Sequence, residues 1–284
     1  MLASPPRLAL PSRRTFYREW VRESKPAIFV GATQDWPALG KWSFSWFHEV
    51  HGDLAVAVHP GLYERGPDAG TAKRVGRFRA TTMREYIDAL LEGAPRLRGD
   101  GTSRTPEVGY LAGPDVLNDA PRLRDDVPFP PYGGPAKLAD GSFWMGGPGT
   151  VTQLHMDRAH NLYVQVVGRK RWQLYSPARS ASLRGRFVHW AASVSDLELV
   201  PEPFEARGDL TPDYEFDIAP GEMLFLPYGW WHRVTTLEAA IAANLWWWTI
   251  PMIVTHGPDV VRSIWRMRRQ RGLRVGRSEL PRDG

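Results

Sequence analysis

A histidine and an aspartate two residues apart, His155 and Asp157, have the residue types and spacing for metal chemistry. The residues before them are typical of a β-strand, where side chains at i and i+2 point to one face. A neutral imidazole and a carboxylate on one face can bind a single metal ion. His232, which follows two tryptophans later in the chain, offers a third ligand. Two histidines and one carboxylate form a facial set of ligands that binds Fe(II) and leaves coordination positions open.

The His-x-Asp pattern is weak by itself, because roughly every second chain with this histidine content would contain one by chance. The alternative is a surface histidine beside a solvated aspartate. The residues that follow favour a site. Asn161, Tyr163 and Gln165 alternate with apolar residues, which is the period of a β-strand.

A second strand is predicted for residues 170–175, after a tight turn at Gly168 and Arg169. Lys170 and Trp172 would share one face of this strand, and Arg171 would take the other. Polar groups that align with a metal-binding face indicate a barrel whose interior is a binding site.

These residues resemble the motif of the JmjC-type cupins, a family that includes asparaginyl hydroxylases. The resemblance covers residues 14–250, and six or more positions match in register. The matching positions are Thr152-x-x-His155-x-Asp157, Asn161, Gly168, Lys170, His232 and Asn244-Leu-Trp246. The order of Lys25-Pro-Ala-Ile-Phe and Trp36-Pro-Ala-Leu near the start of the chain also resembles this family.

The resemblance implies a mainly β protein with flanking helices, built on a double-stranded β-helix, or jelly-roll, barrel. It also implies Fe(II) as cofactor, 2-oxoglutarate as co-substrate, and iron ligation by His155, Asp157 and His232. The implied 2-oxoglutarate contacts are Thr152, Lys170, Tyr110, Asn161 and Asn244. Thr152 has the wrong parity to share a strand face with His155, so a bulge or a strand start is expected between them.

The function implied is an oxygenase that hydroxylates an amino-acid side chain of a protein or peptide. Four alternatives remain open at this point. The enzyme could act on a small molecule or a modified tRNA base, or it could demethylate N-methyl-lysine. A non-catalytic cupin that keeps only the metal geometry is the other class, and the presence of Lys170 beside the full triad argues against it.

The composition excludes several kinds of site. The chain has 284 residues, 43% of them hydrophobic and 24% charged, which is typical of a globular protein. It contains no cysteine, so disulfides and thiolate metal sites are ruled out. The start lacks the apolar core of a secretory signal, and the most apolar run, residues 239–254, is short for a membrane span. We therefore expect a cytoplasmic protein that contacts no membrane.

The net charge of +5 is concentrated near the C-terminus, where eight arginines and three acidic residues lie in residues 259–284. The preceding part of the chain is balanced and has no overall nucleic-acid signature. Apolar residues at helical spacing after Pro258 predict an amphipathic helix. By resemblance this helix would form a homodimer. The alternatives are packing against its own barrel or, less favoured, binding of nucleic acid by the arginines.

The remaining pattern predicts helices over residues 12–23, 43–50 and 81–92, and Ser12 and Thr82 are suited to cap the first and the last of them. Prolines and glycines dominate residues 119–140, which predicts a long irregular segment that covers the site or binds substrate. Three regions are expected. They are an N-terminal α/β region over 1–139, a jelly-roll core over 140–250 and a basic helical tail over 251–284.

Overall fold

A computed structural model describes residues 3–59, 63–65, 72–74, 79–92, 108–113, 115–132, 139–183, 185–189, 192–195 and 210–252. The predicted C-terminal helix and its dimer contact lie outside these residues, as does most of the segment 60–79. No helix in the described ranges is long and apolar enough to cross a membrane. The cytoplasmic location stays a prediction.

Seventeen strands are present in the described ranges. They are β1 Arg7–Leu8, β2 Ala27–Phe29, β3 Ala55–His59, β4 Tyr63–Arg65, β5 Ala72–Arg74, β6 Arg79–Thr82, β7 Tyr110–Gly113, β8 Ala139–Gly146, β9 Val151–Asp157, β10 His160–Val167, β11 Lys170–Tyr175, β12 Gly185–His189, β13 Ala192–Ser195, β14 Tyr214–Ile218, β15 Met223–Leu226, β16 Trp231–Thr236 and β17 Ala240–Trp247.

The helices are short and lie mainly in the first half of the chain. They are α1 Arg13–Phe16, which continues as a π-helix over Tyr17–Val21, α2 Pro37–Lys41, α3 Phe44–Val50, α4 Met83–Glu92 and α5 Asp115–Asp119, with 3-10 turns at Pro121–Arg124 and Pro177–Arg179.

Two large sheets face each other and form the barrel. The major sheet has nine strands in the order β1-β2-β15-β10-β17-β8-β7-β3-β6. The minor sheet has six strands in the order β12-β13-β9-β16-β11-β14. Neighbouring strands in both sheets are mostly antiparallel and come from distant parts of the chain. The predicted jelly-roll fold is confirmed.

Local sequence explains where the predicted helices begin. The side chains of Ser12 and Ser43 accept hydrogen bonds from the backbone N–H groups of Thr15 and Trp46, so both serines are N-caps. At α4, the Glu85 carboxylate accepts from the Thr82 N–H at 3.0 Å, and the Thr82 hydroxyl accepts from the Glu85 N–H at 3.3 Å. This reciprocal pair is a capping box. The helix therefore begins at Met83, two residues later than the predicted start, because the residues before it end β6.

The two faces of the major sheet carry different residues. Leu162, Val164 and Val166 of β10 point outward and pack with Phe16 of α1 in the larger apolar cluster. The alternate residue Tyr163 points inward, toward Trp172 and Leu174 of the minor sheet. The period-2 pattern seen in the sequence is therefore the division between an outer core and the barrel interior.

The irregular segment predicted over 119–140 does not cover the site in its described part. Leu123, Val127 and Tyr132 are buried in the outer cluster, and the ring of Tyr132 stacks on Phe16 at a centroid distance of 4.2 Å. Asp126 is buried as well, and it accepts hydrogen bonds from the Trp42 indole at 2.9 Å and from Lys41 at 2.8 Å. These contacts hold residues 119–132 against the outer face of the major sheet.

The major sheet extends across the predicted boundary between residues 139 and 140. Strands of the N-terminal region, such as β2 and β7, pair directly with β15 and β8 of the predicted core. The three-region division of the chain stays a prediction.

Candidate metal centre and co-substrate pocket

Three side chains of types that bind metal ions meet on the inner face of the minor sheet. Antiparallel pairing of β9 with β16 places His155 directly opposite His232, with ring centroids 4.0 Å apart. Asp157 lies two residues further along β9. Its carboxylate oxygens are 3.6 Å from Nε2 of His155 and 3.8 Å from Nε2 of His232.

A backbone carbonyl sets the tautomer of each histidine. Nδ1 of His155 donates to the Gln153 carbonyl at 2.8 Å, and Nδ1 of His232 donates to the Trp230 carbonyl at 3.1 Å. A carbonyl oxygen can only accept, so the proton of each neutral ring is on Nδ1. The unprotonated Nε2 atoms therefore face Asp157, as metal-binding imidazoles require.

Burial disfavours the charged form of both His232 and Asp157, so it moves their pKa values in opposite directions. Loss of solvent lowers the pKa of His232 well below its usual value, and the nearby His155 lowers it further. Burial raises the pKa of Asp157, while His155 and a hydrogen bond from Trp246 act to lower it. A neutral His232 imidazole beside a buried carboxylate suits a divalent cation, which would supply positive charge to the site.

These residues fit a divalent iron-type ion. One ligand atom from each of the three residues lies within 4.8 Å of the other two, so a single ion between them can contact all three. The donor set of two nitrogens and a carboxylate suits Fe(II) and related ions. His155, Asp157 and His232 would hold the metal.

A β-bulge brings Thr152 onto the same face as the metal ligands. His155 pairs with His232, but Thr152 pairs with Val234, so β9 contains one extra residue between them. The extra residue reverses the side-chain alternation of the strand. The bulge expected from the sequence is therefore present.

Lys170, Tyr110 and Thr152 form a second polar group inside the barrel. The ammonium group of Lys170 donates to the Tyr110 hydroxyl at 2.9 Å, and the Thr152 side chain is also hydrogen-bonded to Tyr110. Lys170 comes from the minor sheet and Tyr110 from the major sheet, so this contact joins the two walls of the barrel. Gly146 makes room for it, since a Cβ there would lie 2.8 Å from the Tyr110 ring.

Lys170 is almost fully buried and has no carboxylate partner in the described part of the chain. Its ammonium group lies 5.8 Å from the centroid of the Tyr163 ring. Burial lowers the pKa of Lys170 to about 7. An unpaired buried cation of this kind favours an anionic ligand, because a bound carboxylate would restore the charged form.

Asn161 and Asn244 lie on the inner face of the major sheet and bond to each other. The Asn244 amide nitrogen donates to the Asn161 carbonyl oxygen at 2.9 Å. The structure thus brings all eight predicted site residues into the barrel interior, on two facing sheets. Their roles toward iron and 2-oxoglutarate stay predictions.

Two further contacts were missed in the sequence, and both involve tryptophan. The Trp246 indole donates to Oδ2 of Asp157 at 3.0 Å, and the Trp144 indole donates to Asn244 at 2.7 Å. The two rings meet edge to face at 5.8 Å. Trp246 is two residues from Asn244, so strand parity alone could have placed it on the site face.

Comparisons with known proteins agree with this geometry. The family model described as a cupin-like domain matches residues 13–252. Lysine-specific demethylase 8 of Danio rerio is 30% identical over 256 residues, covering 85% of this chain and 58% of that protein. The protein of the same name from Xenopus tropicalis is 28% identical over 249 residues, covering 85% of this chain and 52% of that protein.

A human relative is matched over more of its length. The human bifunctional peptidase and (3S)-lysyl hydroxylase JMJD7 is 29% identical over 273 residues, covering 84% of this chain and 81% of that protein. In contrast, this chain spans little more than half the length of the two demethylase relatives.

Proposed function

The chain belongs to the cupin-like domain family, and we propose that it is a JmjC-type Fe(II)- and 2-oxoglutarate-dependent oxygenase that hydroxylates an amino-acid side chain in a protein or peptide. One observation carries the proposal. The facial triad of His155, Asp157 and His232 shares the barrel interior with the unpaired buried cation of Lys170. The first group suits a metal ion and the second suits an acidic co-substrate.

Each group of residues has a distinct task in this reaction. His155, Asp157 and His232 would hold Fe(II), and Lys170 would bind a carboxylate of 2-oxoglutarate. Tyr110, Thr152, Asn161 and Asn244 would complete the co-substrate pocket. When bound, Fe(II) and 2-oxoglutarate supply the oxidation chemistry that uses O2 to hydroxylate a substrate C–H bond.

The protein contributes orientation and exclusion of water. Trp172 stacks on the His232 ring at a centroid distance of 5.6 Å and holds that ligand in place. Trp246 holds one oxygen of Asp157. His232 and Lys170 are only 2% and 1% exposed, so the charges in the site act without competition from bulk solvent.

The relatives support a protein or peptide as substrate. JMJD7 is named as a lysyl hydroxylase, which modifies an amino-acid side chain. Two other relatives are named as lysine-specific demethylases, and this favours a second candidate reaction. Hydroxylation of an N-methyl group gives an unstable product that releases formaldehyde, so the same site chemistry would serve both reactions.

A peptide-library assay tests the proposal. Purified protein is incubated with Fe(II), 2-oxoglutarate and peptides, and the products are examined by mass spectrometry. We expect succinate and a peptide that gains the mass of one oxygen atom. Loss of a methyl group with formaldehyde would instead support the demethylase candidate. Turnover only with small molecules or with tRNA would support the remaining oxygenase alternatives.

Two aspartate variants make the assay specific to the metal site. Asp157→Ala should abolish succinate production, because it removes one of the three ligands. Asp217→Ala removes a carboxylate of the same minor sheet that pairs with Arg171 at 2.8 Å on the partly exposed outer face. This control should keep wild-type turnover. Full activity in Asp157→Ala would refute the oxygenase proposal, and metal binding without any succinate would indicate a non-catalytic cupin.

A further inference from the structure

A chain of hydrogen bonds crosses three neighbouring strands on the inner face of the major sheet. The Trp144 indole on β8 donates to Oδ1 of Asn244 on β17 at 2.7 Å. Nδ2 of Asn244 then donates to Oδ1 of Asn161 on β10 at 2.9 Å. Asn244 and Asn161 are 1% and 4% exposed, so water competes little with either bond.

Strand register explains why these three side chains meet. Trp144 lies opposite Ala242, two residues from Asn244, and Asn161 lies opposite Trp246, two residues from Asn244 in the other direction. Each contact is therefore a diagonal one between antiparallel neighbours, a spacing that long side chains can span. The small side chain of Ala242 leaves the indole room to reach along the sheet.

The Trp144 indole determines which atoms donate and which accept in the hydrogen bonds of Asn244 and Asn161. An indole N–H can donate and cannot accept, whereas an asparagine amide can be turned to do either. Trp144 therefore forces Asn244 to present its oxygen to the indole and its nitrogen to Asn161. Asn161 must then accept through its own oxygen. Its Nδ2 group, with two N–H donors, is left for another partner, and no hydrogen bond from it is seen within the described ranges.

The open amide nitrogen faces the barrel interior. Asn161 is two residues from Tyr163 on the same strand face, and the Tyr163 ring lies beside the Lys170 ammonium group. Asn161 also lies opposite Trp246, whose indole binds the Asp157 carboxylate. The donor is thus on the same wall of the site that approaches both the metal ligands and the buried cation.

We propose that Trp144 is a positioning residue that fixes the orientation of two amides, so that Asn161 presents N–H donors to the acidic co-substrate. The inference rests on the proposed function, because it takes 2-oxoglutarate as the ligand. A carboxylate oxygen only accepts hydrogen bonds. Turning Asn161 around would place its carbonyl oxygen against the negative charge and replace an attraction by a repulsion.

Trp144→Phe tests this role, because it keeps an aromatic ring and removes the donor. Without the indole N–H, Asn244 and Asn161 can adopt both orientations. The dissociation constant of 2-oxoglutarate, measured by calorimetry on Mn(II)-loaded protein, should rise about tenfold, since hydrogen bonds to charged groups are among the stronger ones. The affinity for Mn(II) alone should stay at the wild-type value.

Trp248→Phe is the matched control. The Trp248 indole is buried and donates to the Arg158 backbone carbonyl at 2.8 Å, so the change removes an equivalent donor outside the chain of amides. This variant should bind 2-oxoglutarate within about twofold of the wild type, a change smaller than one hydrogen bond contributes.

A double-mutant cycle separates positioning from packing, because Trp144 also lies 5.7 Å from the Tyr110 ring. In an Asn244→Leu background, Trp144→Phe should have no further effect on the 2-oxoglutarate affinity. An undiminished effect in that background would overturn the proposal. Unchanged affinity in the Trp144→Phe single variant would overturn it as well.

A second measurement does not depend on any ligand. In the wild-type protein without metal, the side-chain amides of Asn161 and Asn244 should each give one set of NMR resonances. Trp144→Phe should split or broaden them, and unaltered resonances would refute the positioning role. If the resonances respond while the wild type binds no 2-oxoglutarate, Trp144 positions the amides, but the proposed function and the co-substrate role of Asn161 are wrong. The NMR measurement therefore distinguishes failure of the proposed function from failure of the positioning role.

Discussion

At the scale of single residues, the three side chains proposed to bind the metal depend on neighbours outside the triad. Asp157 has two carboxylate oxygens, and the Trp246 indole donates to one of them, Oδ2, at 3.0 Å. The two histidines are fixed in the same way by backbone carbonyls. These contacts reduce the number of orientations that each ligand must lose when an ion binds, which strengthens the site.

Trp246→Phe should weaken metal binding about tenfold, since loss of a second partner of a ligating group usually costs a factor of 10–100 in affinity. The ring remains, so the packing of Trp144 changes little. Competition with a chelator, using Co(II) as the probe ion, measures the dissociation constant. Trp248→Phe is again the control. An unchanged Co(II) affinity in Trp246→Phe would show that Asp157 is held by its strand alone.

The buried lysine predicts uptake of a proton when the co-substrate binds. Burial lowers the pKa of Lys170 to about 7 in the free protein, and a carboxylate partner would raise it. At about pH 8 the free protein holds Lys170 mainly neutral, so binding of 2-oxoglutarate should take up close to one proton. At about pH 6 the lysine is already charged and the uptake should be small.

Calorimetry in buffers of different ionisation enthalpy measures the number of protons directly. The affinity for 2-oxoglutarate should fall by up to about tenfold per pH unit above pH 7 and change little below it. Lys170→Arg keeps its charge at every such pH, so its binding should lose this proton uptake. Absence of uptake in the wild type at pH 8 would contradict a role for Lys170 as the carboxylate partner.

At the scale of elements, the turn between β10 and β11 delivers Lys170 to the site. Gly168 has φ +69°, and a Cβ there would lie 2.2 Å from the Ala239 carbonyl oxygen. The turn therefore packs directly against the connection between β16 and β17. The N–H of Leu237 donates to the Arg169 carbonyl at 3.0 Å and ties the two connections together.

Gly168→Ala should destabilise the protein far more than Gly31→Ala. Gly31 has φ +70° but no atom within 4 Å of an added Cβ, so alanine there meets only the left-handed backbone penalty of about 1–2 kcal/mol. Alanine at Gly168 would add overpacking against backbone, about 1–3 kcal/mol more. Urea unfolding of the two variants measures the difference. Equal losses of unfolding free energy in Gly168→Ala and Gly31→Ala would show that the Ala239 backbone moves away from the added methyl group without cost.

The bulge in β9 is the other element on which the site depends. One extra residue places the Thr152 hydroxyl beside Tyr110 while His155 and Asp157 keep facing His232. Without the bulge, Thr152 would point to the outer face of the minor sheet. The pocket and the metal centre can share one strand because of this irregularity.

At the scale of the whole molecule, a buried histidine outside the triad makes stability depend on pH. His160 packs between Phe225 and Trp247, and its Nδ1 accepts from the Tyr228 N–H at 3.1 Å. Burial lowers the pKa of His160 from 6.5 to about 4. Between these values the unfolded chain binds a proton that the folded chain does not. Stability from this group is therefore complete above pH 6.5 and is lost as the pH falls toward 4.

His160→Gln should remove this dependence, since glutamine does not titrate and can still accept from Tyr228. Between about pH 7.5 and about pH 5, the wild type should lose about 2 kcal/mol more unfolding free energy than the variant. Urea unfolding at the two pH values measures the loss of unfolding free energy in each protein. The contributions of all other titrating groups are common to both proteins and cancel in the difference. Parallel losses in the two proteins would mean that His160 is charged in the fold.

Much of this molecule was determined by its sequence through local rules. Side-chain alternation placed His155 with Asp157 and Lys170 with Trp172, because a strand repeats every two residues wherever it packs. Capping side chains marked the starts of α1 and α4, since Ser12 and Thr82 satisfy N–H groups only three residues away. The jelly-roll barrel was predicted from the resemblance of the motif around His155 to the JmjC-type cupins.

Only the tertiary structure decided which distant side chains touch one another inside the site. Tyr110 meets Lys170 across the barrel, Trp246 reaches Asp157 and Trp144 reaches Asn244, each over a separation of 60 residues or more. Strand order in the two sheets sets these contacts, and periodicity along one strand contains no information on its neighbours. The orientation of the Asn244 and Asn161 amides depends further on the indole donor of Trp144. This orientation follows from the assembled contacts and not from any one of the three residues.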